Sequence, residues 1–161
     1  MIYKDKVSVL FVCLGNICRS PTAEAVFTQK VIAAGAQDMI LVDSAGTAGY
    51  HIGEAPDDRA CELAARRGYL MDALRARQVS TEDFYHFDYI IAMDQANLSN
   101  LQALKPQHAK AQLSLMLSHS DSSTQEVPDP YYGGNQGFET VLDLLEDASD
   151  GLLSSLQKTF K

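Results

Sequence analysis

The feature that most constrains this chain is a strand that passes into a helix through a short loop near the N-terminus. Residues 7–12, VSVLFV, form an apolar run rich in β-branched residues, which predicts a buried strand. Pro21 and the following TAEAVF predict a helix with its proline in the first turn. Loop 13–20 begins with a cysteine and carries an arginine six positions later. Converging N–H groups and the positive helix end favour an anion, so we predict a phosphate-binding loop after the first strand.

The length and composition predict one globular domain, spanning residues 1–161. The chain is 46% hydrophobic and 21% charged, and it has no apolar run of the roughly 20 residues that a membrane span requires. It begins without a signal-peptide pattern, and its three cysteines favour a reducing compartment, so we expect a cytoplasmic protein. The net charge of −8 argues against nucleic acid or an anionic membrane as a partner.

Strand and helix patterns alternate along the rest of the chain. Further strands are predicted at 40–42, 89–93 and 112–117, the last with a buried helical turn as its alternative. Helices are predicted at 21–35, 56–68, 94–104 and 138–160, with a possible kink at 150–151. This alternation predicts an α/β fold, a four-stranded parallel twisted sheet with helices on both faces. The loops that follow the strands should meet at one edge of that sheet.

The residue types in loop 13–20 suit nucleophilic attack on phosphorus. Loop amides, the helix dipole and Arg19 all favour the thiolate of Cys13, and Arg19 offers two parallel donors to phosphoryl oxygens. Gly15 and Asn16 are residue types that tolerate positive φ. The leaving group needs an acid, and Asp129, held between two prolines, is the leading candidate. Taken alone, a cysteine after a strand is more typical of a core residue, and Asp-Pro is as typical of a turn as of a catalytic loop.

Together these motifs resemble the low-molecular-weight protein tyrosine phosphatases. The resemblance covers VLFVCLGNICRSPTAEAVF at 9–27, VDSAGT at 42–47, ARQ at 76–78, FDYIIAMD at 87–94 and DPYYG at 129–133. It implies hydrolysis of phosphotyrosine, or of aryl phosphates generally, through a phosphocysteine on Cys13. Arg19 would bind the phosphoryl group, and Asp129 would act as general acid and then as general base. No cofactor or metal is implied.

The resemblance also implies roles for residues around the loop. The phosphate-binding residues would be Leu14, Gly15, Asn16, Ile17, Cys18, Arg19 and Ser20. The supporting residues would be Asn16, Ser20, Ser44 and Asp94. The substrate pocket would be formed by Leu14, Ile17, Tyr50, His51 and Tyr131. Cys18 would trap oxidised Cys13 as a disulfide, although it also suits simple packing, and Asp94 also suits a helix cap.

One position departs from the family pattern. Family members often carry a histidine three residues before the arginine of ARQ, where it supports the loop asparagine. Alignment on Arg77 puts Leu74 there. Leucine cannot donate or accept that hydrogen bond, so we expect Asn16 to use another partner and the loop to be less tightly organised.

Three other functions fit parts of the sequence. Arsenate reductases use a similar loop with a further pair of cysteines downstream, where this chain has only Cys61. Phosphoarginine phosphatases carry a threonine where this chain has Ile17. A non-catalytic phosphate-binding module would need neither Cys13 nor Asp129. We therefore predict tyrosine-phosphorylated proteins or small aryl phosphates as substrates, inorganic phosphate as product and inhibitor, and a monomer or weak dimer.

Overall fold

The structure, a computed structural model, describes residues 6–130 and 134–160. The elements are β1 (Val7–Cys13), α1 (Arg19–Ala33), β2 (Ile40–Gly46), α2 (Asp58–Arg66), α3 (Asp83–His86), β3 (Tyr89–Ala92), α4 (Gln95–Leu104), β4 (Gln112–Leu115) and α5 (Gly134–Gln157). A 3-10 helix, Met116–His119, follows β4. Within the described residues, no helix combines the length and the apolar character that crossing a bilayer demands.

The four strands form a single parallel sheet in the order β2-β1-β3-β4, which confirms the predicted α/β class. The central strand β1 pairs with β2 on one side and with β3 on the other. The chain therefore leaves β1 in one direction through α1 and later crosses to the opposite side. In open α/β sheets, ligands bind in the crevice at such a reversal, beyond the carboxyl ends of the strands. Loop 13–20 begins at this point.

Helices cover both faces of the sheet, as predicted. One face of β1 presents Val9 and Phe11 to a core shared with α1 and α5, and Phe11 meets Phe27 of α1 edge to face at 5.6 Å. The other face presents Leu10 and Val12 to a core shared with α3 and α4. Because successive side chains of a strand point to opposite faces, the continuous apolar run of β1 supplies both cores.

Strand β2 is longer than predicted. The expected strand ended at Val42, but pairing with β1 continues in register to the partners Cys13 and Gly46. The small, polar residues 43–46 are typical of a loop, and backbone pairing with the central strand overrides that tendency. The next two amides, of residues 47 and 48, then donate to the carbonyl oxygens of Cys13 and Leu14 at 2.9 and 3.0 Å. The extension joins β2 to loop 13–20 and carries Ser44 towards it.

Other boundaries also differ from the predictions, since α1 and α2 are displaced or shortened by two residues at each end. Strand β4 ends at Leu115, and the residues after it form the 3-10 helix, so the alternative of a buried helical turn holds for 116–117. Helix α5 starts four residues early and continues through Gly151 as one uninterrupted helix. A methyl group at Gly151 would overlap the carbonyl oxygen of His119. This glycine therefore permits close packing between α5 and the 3-10 helix.

Candidate active site

Cys13 is the last residue of β1 and lies at the floor of a cavity, with only 3% of its surface exposed. Its Sγ lies 3.0 Å from the hydroxyl of Ser20, and the Ser20 backbone N–H donates to the sulfur at 3.5 Å. Helix α1 begins at Arg19 without a side-chain cap. The positive end of the helix and an N–H group of its first turn therefore act on the sulfur.

The loop glycine and asparagine serve different purposes. Asn16 adopts the left-handed conformation with φ 59°, as its residue type predicted. Gly15 does not have positive φ, which corrects the prediction for that residue. A Cβ on Gly15 would instead lie 2.9 Å from Cδ2 of His51, so a larger residue here requires the His51 ring to move.

The side chain of Asn16 is buried beneath the loop and is fully hydrogen-bonded. Its Nδ2 donates to Ser20 Oγ at 2.7 Å and to Ser44 Oγ at 3.0 Å, and its Oδ1 accepts from the backbone N–H of Arg77 at 3.0 Å. Leu74 packs against the apolar cluster on the Cys18 side of α1. Asn16 was expected to use a partner other than residue 74, and the structure shows that Ser44 and the Arg77 backbone take that place.

The guanidinium of Arg19 is held from behind and is 4% exposed. Its NH1 donates to Asp94 Oδ2 at 2.6 Å and to the carbonyl oxygen of Val127 at 3.0 Å. The other carboxylate oxygen of Asp94 accepts from the backbone N–H of Asn97 and caps α4. Asp94 thus serves both roles that the sequence allowed, because its two oxygens face different partners.

A cavity of about 240 Å³ joins the residues with reactive side chains. Asp129 Oδ2 lies 3.8 Å from Arg19 NH2, and the Asp129 side chain is 47% exposed at the cavity mouth. The lining residues are Cys13, Leu14, Gly15, Ile17, Cys18, Arg19, His51 and Asp129. A thiol, a guanidinium and a carboxyl from two distant parts of the chain therefore meet in one space.

The predicted pocket residues are divided between the lining and the surroundings. Leu14, Ile17 and His51 line the cavity, and His51 Nδ1 lies 3.0 Å from a carboxylate oxygen of Glu54. Tyr50 is 75% exposed and lies outside the lining. Tyr131 falls outside the described residues.

The other two thiols have different surroundings from Cys13. Cys18 also lines the cavity, and burial, followed by the charge of Asp57, raises its pKa to about 12. Cys18 is therefore protonated at neutral pH. Burial also raises the pKa of Cys61, which lies on α2. Across 6–130 and 134–160, no three or more His, Cys, Asp or Glu side chains are grouped so as to hold a metal ion.

The sequence analysis did not identify Glu24 as part of the site. Its carboxylate accepts a 2.7 Å hydrogen bond from Ser44 Oγ, the same hydroxyl that Asn16 contacts. Burial, opposed by this hydrogen bond, raises the pKa of Glu24 to about 7. The available signal was helical spacing, since Ser20 and Glu24 are four residues apart and share one face of α1.

Comparisons with known proteins agree with this geometry. The sequence profile of the family described as low molecular weight phosphotyrosine protein phosphatase matches residues 8–161. A Bacillus subtilis low molecular weight protein-tyrosine-phosphatase is 45% identical over 94% of this chain and 97% of its own length. The structure of a protein tyrosine phosphatase from Entamoeba histolytica superposes with a TM-score of 0.91 at 43% identity, covering 95% of this chain and 98% of the other.

A Drosophila arginine phosphatase is also similar, with a TM-score of 0.86 and 34% identity over 91% of this chain and 96% of its own. The fold is therefore shared by proteins with different named substrates. The profile match, the identities and the near-complete coverage together show that this chain belongs to the low molecular weight phosphotyrosine protein phosphatase family.

Proposed function

We propose that this protein is a protein tyrosine phosphatase that hydrolyses phosphotyrosine and related aryl phosphates through a phosphocysteine on Cys13. The observation that carries the proposal is the shared cavity of Cys13, Arg19 and Asp129. Its three side chains supply a nucleophile, a cation for the phosphoryl oxygens and a proton donor. A site that only binds phosphate needs neither the first nor the third.

In the first step, the Cys13 thiolate attacks phosphorus and forms an S–P bond. The bond between phosphorus and the aryl oxygen breaks, and the departing oxygen takes its electron pair and a proton from Asp129. Arg19, whose NH1 is fixed by Asp94, directs its remaining N–H groups at the phosphoryl oxygens. Its fixed position reduces the reorganisation needed in the transition state.

In the second step, a water molecule attacks phosphorus and gives a proton to the Asp129 carboxylate. The S–P bond breaks, inorganic phosphate forms and the thiolate returns. The Ser20 hydroxyl, 3.0 Å from the sulfur, stabilises the thiolate as a leaving group. Because product phosphate occupies the same cradle as the phosphoryl group, it should inhibit competitively.

The cavity walls support an aromatic substrate. Leu14 and Ile17 present apolar side chains that an aromatic ring can contact. We propose tyrosine-phosphorylated proteins or small aryl phosphates as substrates. A cytoplasmic location and a monomeric or weakly dimeric state remain predictions from the sequence.

Hydrolysis of aryl phosphates with leaving groups of different acidity tests the assignment. Cys13→Ser should abolish turnover and still bind phosphate. Asp129→Ala should lose about 10²–10⁴-fold in kcat for poor leaving groups and much less for good ones. The matched control is Asp121→Ala, an exposed aspartate upstream on the same loop, which should retain wild-type rates. No turnover by reduced wild-type protein, or equal losses for all leaving groups in Asp129→Ala, would contradict the scheme.

Phosphoarginine is the second candidate substrate, supported by the similarity to the Drosophila enzyme. Ile17 lines the cavity in place of the threonine expected for that activity. Wild-type protein should prefer a phosphotyrosine peptide to the matching phosphoarginine peptide, and Ile17→Thr should narrow the difference. A wild-type preference for phosphoarginine would reverse the assignment. Arsenate reduction, tested with thiol reductants, should be absent.

We also propose that Cys18 protects Cys13 from irreversible oxidation. When peroxide converts Cys13 to a sulfenic acid, attack by the Cys18 sulfur would form a disulfide and release water. The raised pKa of Cys18 makes this attack slower near neutral pH than at pH 9. After peroxide treatment, wild type should recover activity with dithiothreitol, and Cys18→Ala should lose most of that recovery. Equal recovery would remove the proposed role.

A further inference from the structure

A continuous series of hydrogen bonds connects the sulfur of Cys13 with the carboxylate of Glu24, which lies on α1 one turn after Ser20. Cys13 Sγ lies 3.0 Å from Ser20 Oγ, which accepts from Asn16 Nδ2 at 2.7 Å. The same Asn16 nitrogen donates to Ser44 Oγ at 3.0 Å, and Ser44 Oγ donates to Glu24 Oε1 at 2.7 Å. The series is described below as the Glu24 relay, and it consists of these five residues.

The direction of every bond in the Glu24 relay follows from its last member. An ionised carboxylate can only accept, so the Ser44 proton points at Glu24 and the Ser44 oxygen faces Asn16. Both amide hydrogens of Asn16 are then used, one on each serine. The Ser20 oxygen accepts one of them, which leaves the Ser20 proton for the Cys13 sulfur or, at 3.4 Å, for the carbonyl oxygen of residue 45.

Protonation of Glu24 removes this constraint. A neutral carboxyl can donate to Ser44 as well as accept from it, so the Ser44 proton is free to turn towards Asn16. The Asn16 side-chain amide then loses a fixed acceptor at Ser44, and the orientation of the Ser20 hydroxyl becomes less defined. A thiolate depends on such a donor more strongly than a neutral thiol does, because hydrogen bonds to charged groups are the stronger ones.

The surroundings of Glu24 bring its protonation into the physiological pH range. Asp43, from β2, faces the carboxylate with the same charge, and Arg77, which binds both Asp43 and Asp83, faces it with the opposite charge. Burial outweighs both and raises the pKa of Glu24 to about 7.

We propose that Glu24 is a positioning residue for the phosphatase reaction proposed above, and that its carboxylate, through Ser44 and Asn16, holds the Ser20 hydroxyl on the Cys13 thiolate. The inference rests on that proposed function. The site is ordered when Glu24 is ionised and is less ordered when Glu24 is protonated. Direct repulsion between the two anions acts in the opposite direction across three intervening side chains, and on its own it would make the wild-type Cys13 less reactive as pH rises, so the assay below distinguishes the two effects.

Glu24→Gln mimics the protonated carboxyl at every pH and is nearly equal to it in shape. The primary assay is alkylation of Cys13 by iodoacetamide between pH 5.5 and 8.5, followed by mass spectrometry of the peptide that contains it. The ratio of wild-type to variant rates should be near one at pH 5.5 and rise to about fivefold at pH 8.5, the value of one ordinary hydrogen bond. Because both proteins meet the same reagent, its own pH dependence cancels.

A ratio that stays flat, or falls with rising pH, would overturn the proposal. The ratio of kcat/KM for an aryl phosphate should follow the same curve. Alkylation does not require turnover, so inactive wild-type protein would refute the proposed function alone, whereas a flat alkylation ratio would refute the role of Glu24 alone.

Two further variants test the route and the charge. In a Ser44→Ala background, Glu24→Gln should have no further effect, and a persisting pH-dependent effect would refute the Glu24 relay. Asp43→Asn leaves the relay intact and removes a negative charge that raises the pKa of Glu24, so the midpoint of the pH dependence should move to lower pH. A midpoint at higher pH would contradict the role assigned to Asp43. Glu62→Gln, an exposed carboxyl on α2, is the matched control and should behave as wild type throughout.

Discussion

Glu24→Gln should make the folded protein more stable at alkaline pH. The carboxyl has an ordinary pKa of 4.5 and a folded-state pKa of about 7, because burial disfavours its charge. Between these two values the folded chain binds more protons than the unfolded chain does, so the unfolding free energy falls as pH rises. Above about pH 7 the full cost is present. Glutamine keeps an acceptor for Ser44 and carries no charge, so the variant does not bear the free-energy cost of burying an ionised carboxylate.

The magnitude follows from the same two values. Each tenfold change in an acid constant is worth about 1.36 kcal/mol, so a rise from 4.5 to about 7 corresponds to an order of 3 kcal/mol. Screening of a partly exposed carboxyl reduces the expected gain to about 2 kcal/mol at pH 8. The gain should be small at pH 4.5, where Glu24 is protonated in the folded chain and about half protonated in the unfolded chain, and it should vanish at lower pH, where both states are protonated. For a domain of this size, 2 kcal/mol raises Tm by roughly 5 °C.

Urea unfolding at pH 4.5, 6, 7 and 8 measures the effect directly. The difference in unfolding free energy between variant and wild type should increase steadily to about pH 7 and then level off, with m-values unchanged. Glu62→Gln, in an exposed i,i+4 pair with Arg66, should show no such trend. A constant difference across this range, or one that decreases with pH, would refute the reasoning about the burial of Glu24. The expected pairing of higher stability with lower Cys13 reactivity is a trade-off typical of functional sites.

Two other substitutions test the packing and the departure from the family pattern. Gly151→Ala should lower the free energy of unfolding by about 1–3 kcal/mol in urea, because the new methyl group overlaps the backbone of His119. The control is Gly137→Ala on the same helix, whose new methyl group would lie an ordinary 3.6 Å from Pro130, so this variant should be neutral or slightly stabilising. Equal effects of the two alanines would contradict this. Leu74→His should raise neither kcat nor the affinity for inhibitory phosphate, because the Asn16 side chain already has its hydrogen-bond partners. An increase in both would show that the loop lacks a hydrogen bond that the histidine supplies.

The parallel sheet and the strand, loop and helix around residues 13–20 follow from local sequence patterns. The apolar run of β1 and the helical pattern that begins near Pro21 are both encoded by neighbouring residues, so the loop between them was predictable, although α1 starts two residues earlier, at Arg19. The approach of Asp129 to Arg19 depends on how the chain returns to the sheet edge. The chemistry of the loop called for an acid and the flanking prolines indicated Asp129, but no local pattern predicted its distance from Arg19.

The errors have a common physical origin in contacts between distant segments. Residues 43–46 have the composition of a loop, and pairing with β1 makes them a strand. Gly15 suggested a backbone role, and the nearby His51 ring gives it a steric one. Glu24 occupies an ordinary polar position in a helical pattern, and it becomes a buried acid only because β2 packs against that face of α1.

The pairing of β1 and β2 extends to Cys13 and Gly46, and two further amides hold the carbonyl oxygens of Cys13 and Leu14. The reactive sulfur is therefore at the terminus of a hydrogen-bonded ladder, where strand pairs open most readily. Fraying of the last few pairs would inactivate the enzyme while the rest of the sheet stayed folded. In mild denaturant, hydrogen exchange at the amides of Thr47 and Ala48 should accelerate in step with the loss of activity, well before global unfolding.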